Sequence, residues 1–322
     1  MLVTADRVFG GHLYVRNGKI AAISDDGTLP AREELDAAGL YVLPGMLDCH
    51  AHINDPGFTW REDLPHASEA AVGGGTTLID MPLQNTPPLT SADAFANKLA
   101  VFEGRSLVDY ALWGGLVTDN AAELAGMDAA GAVGFKAFIA PVSLGYSSVD
   151  MGLAREALFR IKAFGGLAGF HCEDHALICA GEAKAKAGGG IRRAFLDSRP
   201  VVAEVIATAN VIELARETGA RVHICHVSHP RVAELVRRAQ ADGLSVTGET
   251  CPHYLVFTEE NLLSCGTVFK CAPPLRTAEA RDGLWEYVLD GTLSCIGSDH
   301  SPSRPDEKDE AVHGVMGAWG GL

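Results

Sequence analysis

The hydrophobic pattern of the chain changes character near residue 45. Before it, short apolar runs such as Leu13-Tyr14-Val15-Arg16 and Ile20-Ala21-Ala22-Ile23 flank Asn17-Gly18, a pair that tolerates the positive φ angles of a tight hairpin turn. Residues 1–44 therefore predict a small β domain, sandwich-like in layout. Beyond it, apolar strand-like runs alternate with stretches of helical period, the signature of parallel βα units. The expected strands are Met46 to His50, Thr76 to Met81, Tyr110 to Val117, Gly134 to Ile139, Leu167 to His171, Val222 to His226, Leu244 to Thr250 and Leu293 to Ser298. Helices expected between them include Ser91 to Glu103, Met151 to Phe164, Val201 to Thr218, Arg231 to Ala241 and Ala278 to Leu289. Eight such units over residues 45–322 predict an α/β fold, a TIM (β/α)8 barrel, in which catalytic side chains come from the carboxyl ends of the strands.

Composition narrows the function. No run approaches the roughly 18 consecutive apolar residues that span a bilayer, so no membrane partner is expected. The amino terminus lacks a basic segment followed by a long apolar one, which predicts a cytoplasmic protein rather than a secreted one. A net charge of -15 disfavours nucleic acid, whose phosphates need clustered Lys and Arg. The eight cysteines are scattered without a CxxC pair, so neither a zinc ribbon nor a disulfide framework is indicated. Gly73-Gly74-Gly75 and Gly188-Gly189-Gly190 lack the GK[ST] ending of a phosphate loop and read as turns.

The chemistry gathers at the strand ends. His50 and His52 close the first strand, one residue apart, where i and i+2 point to the same side. An isolated HxH is more often two unrelated loop histidines, so the rest of the barrel has to decide. His171 ends the fifth strand, His226 the sixth, and Asp299 follows the eighth. Imidazoles and a carboxylate converging on one barrel mouth suit a divalent transition-metal site. Lys136 lies in the fourth strand between Phe135 and Ala137, inside an apolar segment. Burial lowers a lysine pKa, and a neutral amine can add carbon dioxide to give a carbamate that bridges two cations. Standing alone, Lys136 could equally snorkel to the barrel rim. His12, His66 and His313 lie outside the set and read as solvated; His223, three residues before His226, reads as facing the opposite side. His300 reads as support for the site, and Glu173 either orients His171 or is solvated.

The set His50-x-His52, Lys136, His171, His226 and Asp299 resembles the binuclear amidohydrolases that open cyclic amides: dihydroorotases, hydantoinases and allantoinases. The resemblance runs from Pro44 to Leu322. It implies that His50, His52 and Asp299 hold one divalent ion, that His171 and His226 hold the other, and that N6-carboxylated Lys136 bridges them. Zinc, iron, manganese and cobalt all fit such a ligand set. It further implies a hydroxide shared by the ions as nucleophile, Asp299 as the catalytic proton carrier, a small cyclic ureide substrate and a homotetramer.

Within that branch the chain is most similar to the allantoinase family, hydrolases that convert allantoin to allantoate in purine catabolism. Dihydroorotases typically place an arginine where this chain has Asn54, and hydantoinases or dihydropyrimidinases a tyrosine where it has Pro141. Asp80-Met81-Pro82-Leu83, Ser198-Arg199-Pro200, Thr250-Cys251-Pro252-His253-Tyr254, Lys270-Cys271-Ala272-Pro273-Pro274 and Ala318-Trp319-Gly320-Gly321 are all similar to allantoinase segments. Asn85, His253 and Ala272 are the expected substrate contacts, with Ala272 standing where serine is more usual. A catalytically silent scaffold of the same fold would ordinarily have lost ligands, and all six are kept here. The chain ends at Leu322, just past the eighth strand. The resemblance implies a further segment returning to the amino-terminal β domain, so the C-terminal part is expected to be missing.

Overall fold

The computed structural model describes residues 1–27, 29–142 and 146–322, which divide into two compact units, Met1–Met46 and Leu47–Leu322. In the first unit β1 (Leu2–Val3) pairs antiparallel with β2 (Val8–Phe9), and β3 (His12–Arg16) pairs antiparallel with β4 (Lys19–Ser24). The β3–β4 turn is the expected one. Asn17 (φ 53°) and Gly18 (φ 72°) are both left-handed, as the twist of a two-residue hairpin demands.

The second unit is the barrel. Its strands are β5 (Leu47–Ala51), β6 (Thr77–Asp80), β7 (Asp109–Leu112), β8 (Gly114–Gly115), β9 (Phe135–Phe138), β10 (Leu167–His171), β11 (Arg221–Ile224), β12 (Val246–Thr250) and β13 (Cys295–Ile296). One parallel sheet runs β5-β6-β7 and another β8-β9-β10-β11-β12-β13. The expected single strand Tyr110 to Val117 is thus divided at Trp113. It still ties both sheets, because Trp113 N donates to Asp80 O (2.9 Å) and Gly114 N to Gly134 O (2.8 Å). The ring closes where Ala51 bridges His300 and Asp299 N donates to His50 O (2.8 Å). The last strand is shorter than its apolar run suggests. Beyond Ile296 the Asp48 carboxylate takes the Ser298 N–H (2.9 Å), and a side chain replaces the ladder partner.

Alternation along the strands separates core from lumen. Phe135, Ala137, Ala168, Phe170, Val222, Ile224 and Val246 face outward. They pack with Ala154, Leu158 and Ile161 of helix Met151–Ala163, Val211 of Val201–Thr218 and Val236 of Pro230–Ala241 in one buried cluster. Each of the Phe, Leu, Ile and Val side chains here is worth about 1.5–3 kcal/mol by burial, so this outer layer fixes the strands that carry the site. The helices begin where the sequence offers caps: Asp150 accepts from Leu153 N and Thr277 from Ala280 N. Val201–Thr218 stops at Gly219, left-handed at φ 65°. Helices Leu64–Val72, Leu124–Ala129, His175–Ala187 and Arg192–Ser198 were not anticipated, being short or interrupted by polar residues.

Candidate metal centre

The lumen positions of these strands deliver the polar set to one mouth. His50 and His52 each turn Nε2 to the same atom, Asp299 Oδ1, at 3.1 and 3.2 Å. Asp299 is left-handed (φ 50°), so the chain folds back as it leaves the last strand. Two imidazole nitrogens around one carboxylate oxygen form a compact chelating group, and all three ligand atoms lie within 4.8 Å of one another. Opposite stands the second pair, with His171 Nδ1 and His226 Nε2 at 3.1 Å. His226 is also left-handed (φ 38°), a conformation that costs a non-glycine residue energy and marks a position held by its surroundings. Lys136 is 1% exposed, with Nζ 5.3 Å above the Phe138 ring. Its charge bears on all four imidazoles and works against protonation of each.

Supporting carboxylates orient the rings. Glu173 Oε2 takes His171 Nε2 at 2.8 Å and is itself clasped by Arg199 at 2.5 Å. Glu173 is fully buried and orients His171, so the solvated-loop alternative is discarded. Burial raises its pKa, but Arg199 and His171 outweigh this and hold it at about 2. His50 Nδ1 pairs with Glu249 Oε1, and this partnership leaves Nε2 turned to the mouth. Glu249 escaped the sequence reading. Its signal was a single carboxylate in the strand Val246-Thr247-Gly248-Glu249-Thr250, on the lumen face. A deeper ion pair, Lys98 with Asp80 at 2.5 Å, lies under the first loop; Lys98 also donates to Ile53 O (2.8 Å), and Asp80 accepts from Ile53 N (2.6 Å).

Burial keeps the His52 imidazole neutral, its pKa pulled down to about 4, and likewise lowers His171 and, further, His226. Neutral imidazole is the form that binds a metal. His50 differs: burial lowers its pKa, but Glu249 and Asp299 reverse this and push it up to about 9. Lys136 corrects the expectation drawn from burial alone. Burial works against its ammonium, yet Cys225, Glu249 and Asp299 outweigh it, and the pKa is raised in the chain by itself. Among the described residues His52 Nδ1 and His226 Nδ1 have no hydrogen-bond partner, and His50 Nε2 has only its ion-pair contact with Asp299. Imidazole nitrogens gathered around the Asp299 carboxylate, with further buried imidazole nitrogens left unpaired, fit divalent cations.

The other expectations divide. His12, His66 and His313 are exposed, as read. His223 is a correction. It follows the alternation of its strand inward, with Nε2 3.4 Å from Glu249 Oε2, while the strand ends at Ile224 and the left-handed His226 breaks the alternation beyond it. His300 supports the site mainly through its backbone, its O accepting from His52 N (2.8 Å), while its ring goes to Glu62 (2.8 Å). Asn85 Oδ1 accepts from Lys98 Nζ (2.5 Å), so that oxygen is engaged within the protein. His253 is buried with Nε2 unpaired, its pKa pulled down by burial to about 4. Ala272 precedes Pro273, whose carbonyl accepts from Tyr254 OH at 2.6 Å. Tyr146, the next tyrosine after Pro141, donates its hydroxyl to Lys136 O (2.7 Å).

No family model matches the chain. Among curated proteins, the allantoinase of Solibacter usitatus is 40% identical over 325 residues, spanning 100% of this chain and 70% of its own length. The allantoinase of Deinococcus radiodurans is 37% identical, over 100% of this chain and 72% of its own. That of Escherichia coli K12 is 39% identical over 96% and 69%. Among solved structures, the L-hydantoinase (dihydropyrimidinase) of Arthrobacter aurescens superposes with a TM-score of 0.93 at 37% identity, covering 99% of this chain and 71% of that one. A D-hydantoinase follows at 0.88 and 29%, with coverage of 99% and 71%. With its parallel barrel strands, its converging imidazoles and this breadth of identity, the chain belongs to the allantoinase family of cyclic amidohydrolases.

Proposed function

We propose that this chain hydrolyses the ring amide of allantoin to give allantoate, using two divalent cations. The observation that carries the reading is the gathering of His50, His52 and Asp299 in one cluster and of His171 with His226 in another, with buried Lys136 near enough for its charge to bear on all four imidazoles. His50, His52 and Asp299 would hold one ion, His171 and His226 the other, and Lys136, carrying a carbamate from carbon dioxide, would reach both. Zinc suits these ligands best, and iron, manganese or cobalt also fit. When bound, the cations supply Lewis acidity to the scissile carbonyl and lower the pKa of water.

The chain's own groups do the rest. Asp299 would accept the proton of the attacking water and return it to the departing ring nitrogen, one carboxylate acting as base and then acid. Glu249 and Glu173 hold His50 and His171 in the ring orientation their roles require. His253, buried with a free nitrogen, is offered as a donor to the substrate's polar rim, with the Ala272 backbone and Asn85 as further contacts. Asn54 in place of an arginine removes the natural partner of a substrate carboxylate and argues against dihydroorotate. The family reading also carries a homotetramer in the cytoplasm, which sedimentation velocity and cell fractionation check. Among the described residues no helix is long and apolar enough to cross a membrane.

The solved relatives named hydantoinase favour a second reading, opening of a plain hydantoin or dihydropyrimidine ring. Tyr146 argues against it, since its hydroxyl is committed to Lys136 O and not to a substrate. A side-by-side assay of allantoin, hydantoin, dihydrouracil and dihydroorotate with the metal-reconstituted protein decides. Allantoin should turn over fastest; a faster rate on any of the others overturns the assignment.

A further inference from the structure

Glu249 has two faces. Oε1 serves His50, while Oε2 lies 3.2 Å from Cys49 Sγ and 3.4 Å from His223 Nε2. Cys49 comes from the first barrel strand and Cys295 from the last, and their sulfurs meet at 3.4 Å where the ring closes. The two sulfurs and the Glu249 oxygen lie within 4.8 Å of one another. The hydrolytic reading uses neither cysteine. We propose that Cys49, Cys295 and Glu249 form a separate site for a thiophilic divalent cation of the zinc or cadmium class, and that filling it inhibits the enzyme by drawing Glu249 away from His50.

The donor set matches that ion class, because thiolates select soft and borderline cations over magnesium or calcium. Bonds of about 2.3 Å around a tetrahedral ion put two sulfurs roughly 3.8 Å apart, so the pair has only to open by about 0.4 Å. Each thiol releases its proton to solvent as the ion binds. His223 adds an independent pointer. Its Nδ1 lies 2.8 Å from the Thr247 hydroxyl and its Nε2 3.4 Å from the same Glu249 oxygen, so the ring turns a nitrogen toward the carboxylate that the two sulfurs share. In its neutral form with the proton on Nδ1, His223 can supply Nε2 as a fourth donor beside the two sulfurs and Glu249 Oε2. Both cysteines are partly exposed, whereas Cys172, Cys225, Cys251 and Cys271 are buried. Inhibition follows from geometry: a cation that pulls Oε2 toward the two sulfurs shifts Oε1 and withdraws charge from it, which loosens the hold on His50.

The test uses Cd2+ as the probe on the metal-reconstituted 322-residue chain. Three quantities are followed: cadmium bound at equilibrium dialysis, the ultraviolet sulfur-to-cadmium charge-transfer band, and turnover. The expected result is one equivalent beyond the catalytic ions, a band that grows with it, and activity that falls in step. Cys49→Ser and Cys295→Ser should each retain basal turnover, lose the band and need about tenfold or more cadmium for half-inhibition. Cys295→Ala carries the same comparison if Cys49→Ser fails to fold. The proposal is overturned if wild type takes up no extra equivalent. It also fails if the band survives in both variants, or if Cys225→Ser, or Cys179→Ser with Cys265→Ser, abolishes the band instead. Unaltered cadmium sensitivity in the Cys49 and Cys295 variants would place the ion in the catalytic centre and likewise sink it. Binding and band are read without substrate, so they decide the matter even if allantoin proves the wrong ring.

Discussion

At the scale of single residues, the site depends on carboxylates that do not themselves face the mouth. Glu249→Gln keeps the shape of the side chain but removes the anion from His50 Nδ1. Loss of such a supporting partner costs about 10–100-fold in metal affinity. Dialysis against graded chelator should show the variant losing metal first, with much of the turnover recovered at saturating metal; unchanged metal retention would show that His50 needs no orienting anion. Lys270 gives a pH test away from the metal ligands. Burial pulls its pKa down from 10.5 to about 8, although Nζ donates to Met316 O (3.0 Å) and Ala318 O (2.5 Å). Between those two values the unfolded chain binds the proton and the folded chain does not, so stability rises with pH across that window. The full gain is up to about 3 kcal/mol. Denaturant midpoints on either side of pH 8 should rise in wild type and stay flatter in Lys270→Met; parallel curves would refute the assignment.

At the scale of elements, the seam between β5 and β13 is the sensitive joint. Gly297 stands so close to the first strand that a Cβ there would meet His50 Cβ at 2.8 Å and Cys49 Sγ at 3.1 Å. Gly297→Ala must push the strands apart or displace His50. Overpacking of this kind costs about 1–3 kcal/mol, and here it also moves a metal ligand. A lowered denaturation midpoint together with reduced metal content is the expected outcome; a fully active variant with native metal content would show that the seam tolerates the methyl. Helix Val201–Thr218 contributes differently. Its Glu204 is buried between Ser228 Oγ at 2.5 Å and Arg276 Nη2 at 3.1 Å, and Arg276 Nη1 reaches Arg199 O at 2.7 Å. This network carries the position of Arg199, and through Glu173 that of His171, from one loop to the next.

For the whole molecule, cations and fold are linked. Unpaired imidazole nitrogens in a buried mouth stabilise nothing until an ion joins them, and an ion bound to the folded chain alone stabilises by mass action. At a thousandfold excess over the dissociation constant this amounts to about 4 kcal/mol. Chelation should therefore lower the melting temperature, and adding back zinc or manganese should restore it. A thermogram indifferent to chelator would mean that the mouth holds no tightly bound ion.

Much of this was legible in the chain. Eight apolar runs separated by helical stretches point to a parallel barrel, in which a ring of helices buries the outer face of every run. The spacing His50-x-His52 and the strand-end positions of His171, His226 and Asp299 were readable for the same reason: a barrel brings all strand ends to one rim. What the pattern could not show is where alternation fails. His223 follows the alternation of its strand into the lumen, while the left-handed backbone at His226 breaks that alternation beyond it, and the division at Trp113 parted a strand that looked continuous. Nor could it pair charges across distant strands. Glu249 with His50, Glu173 with Arg199, and Cys49 with Cys295 meet only after the ring has closed, and the balance of burial against neighbouring charge that raises the pKa of Lys136 exists only there. Local pattern determined the fold and the ligand types; contacts made by ring closure decided how each ligand is held and charged.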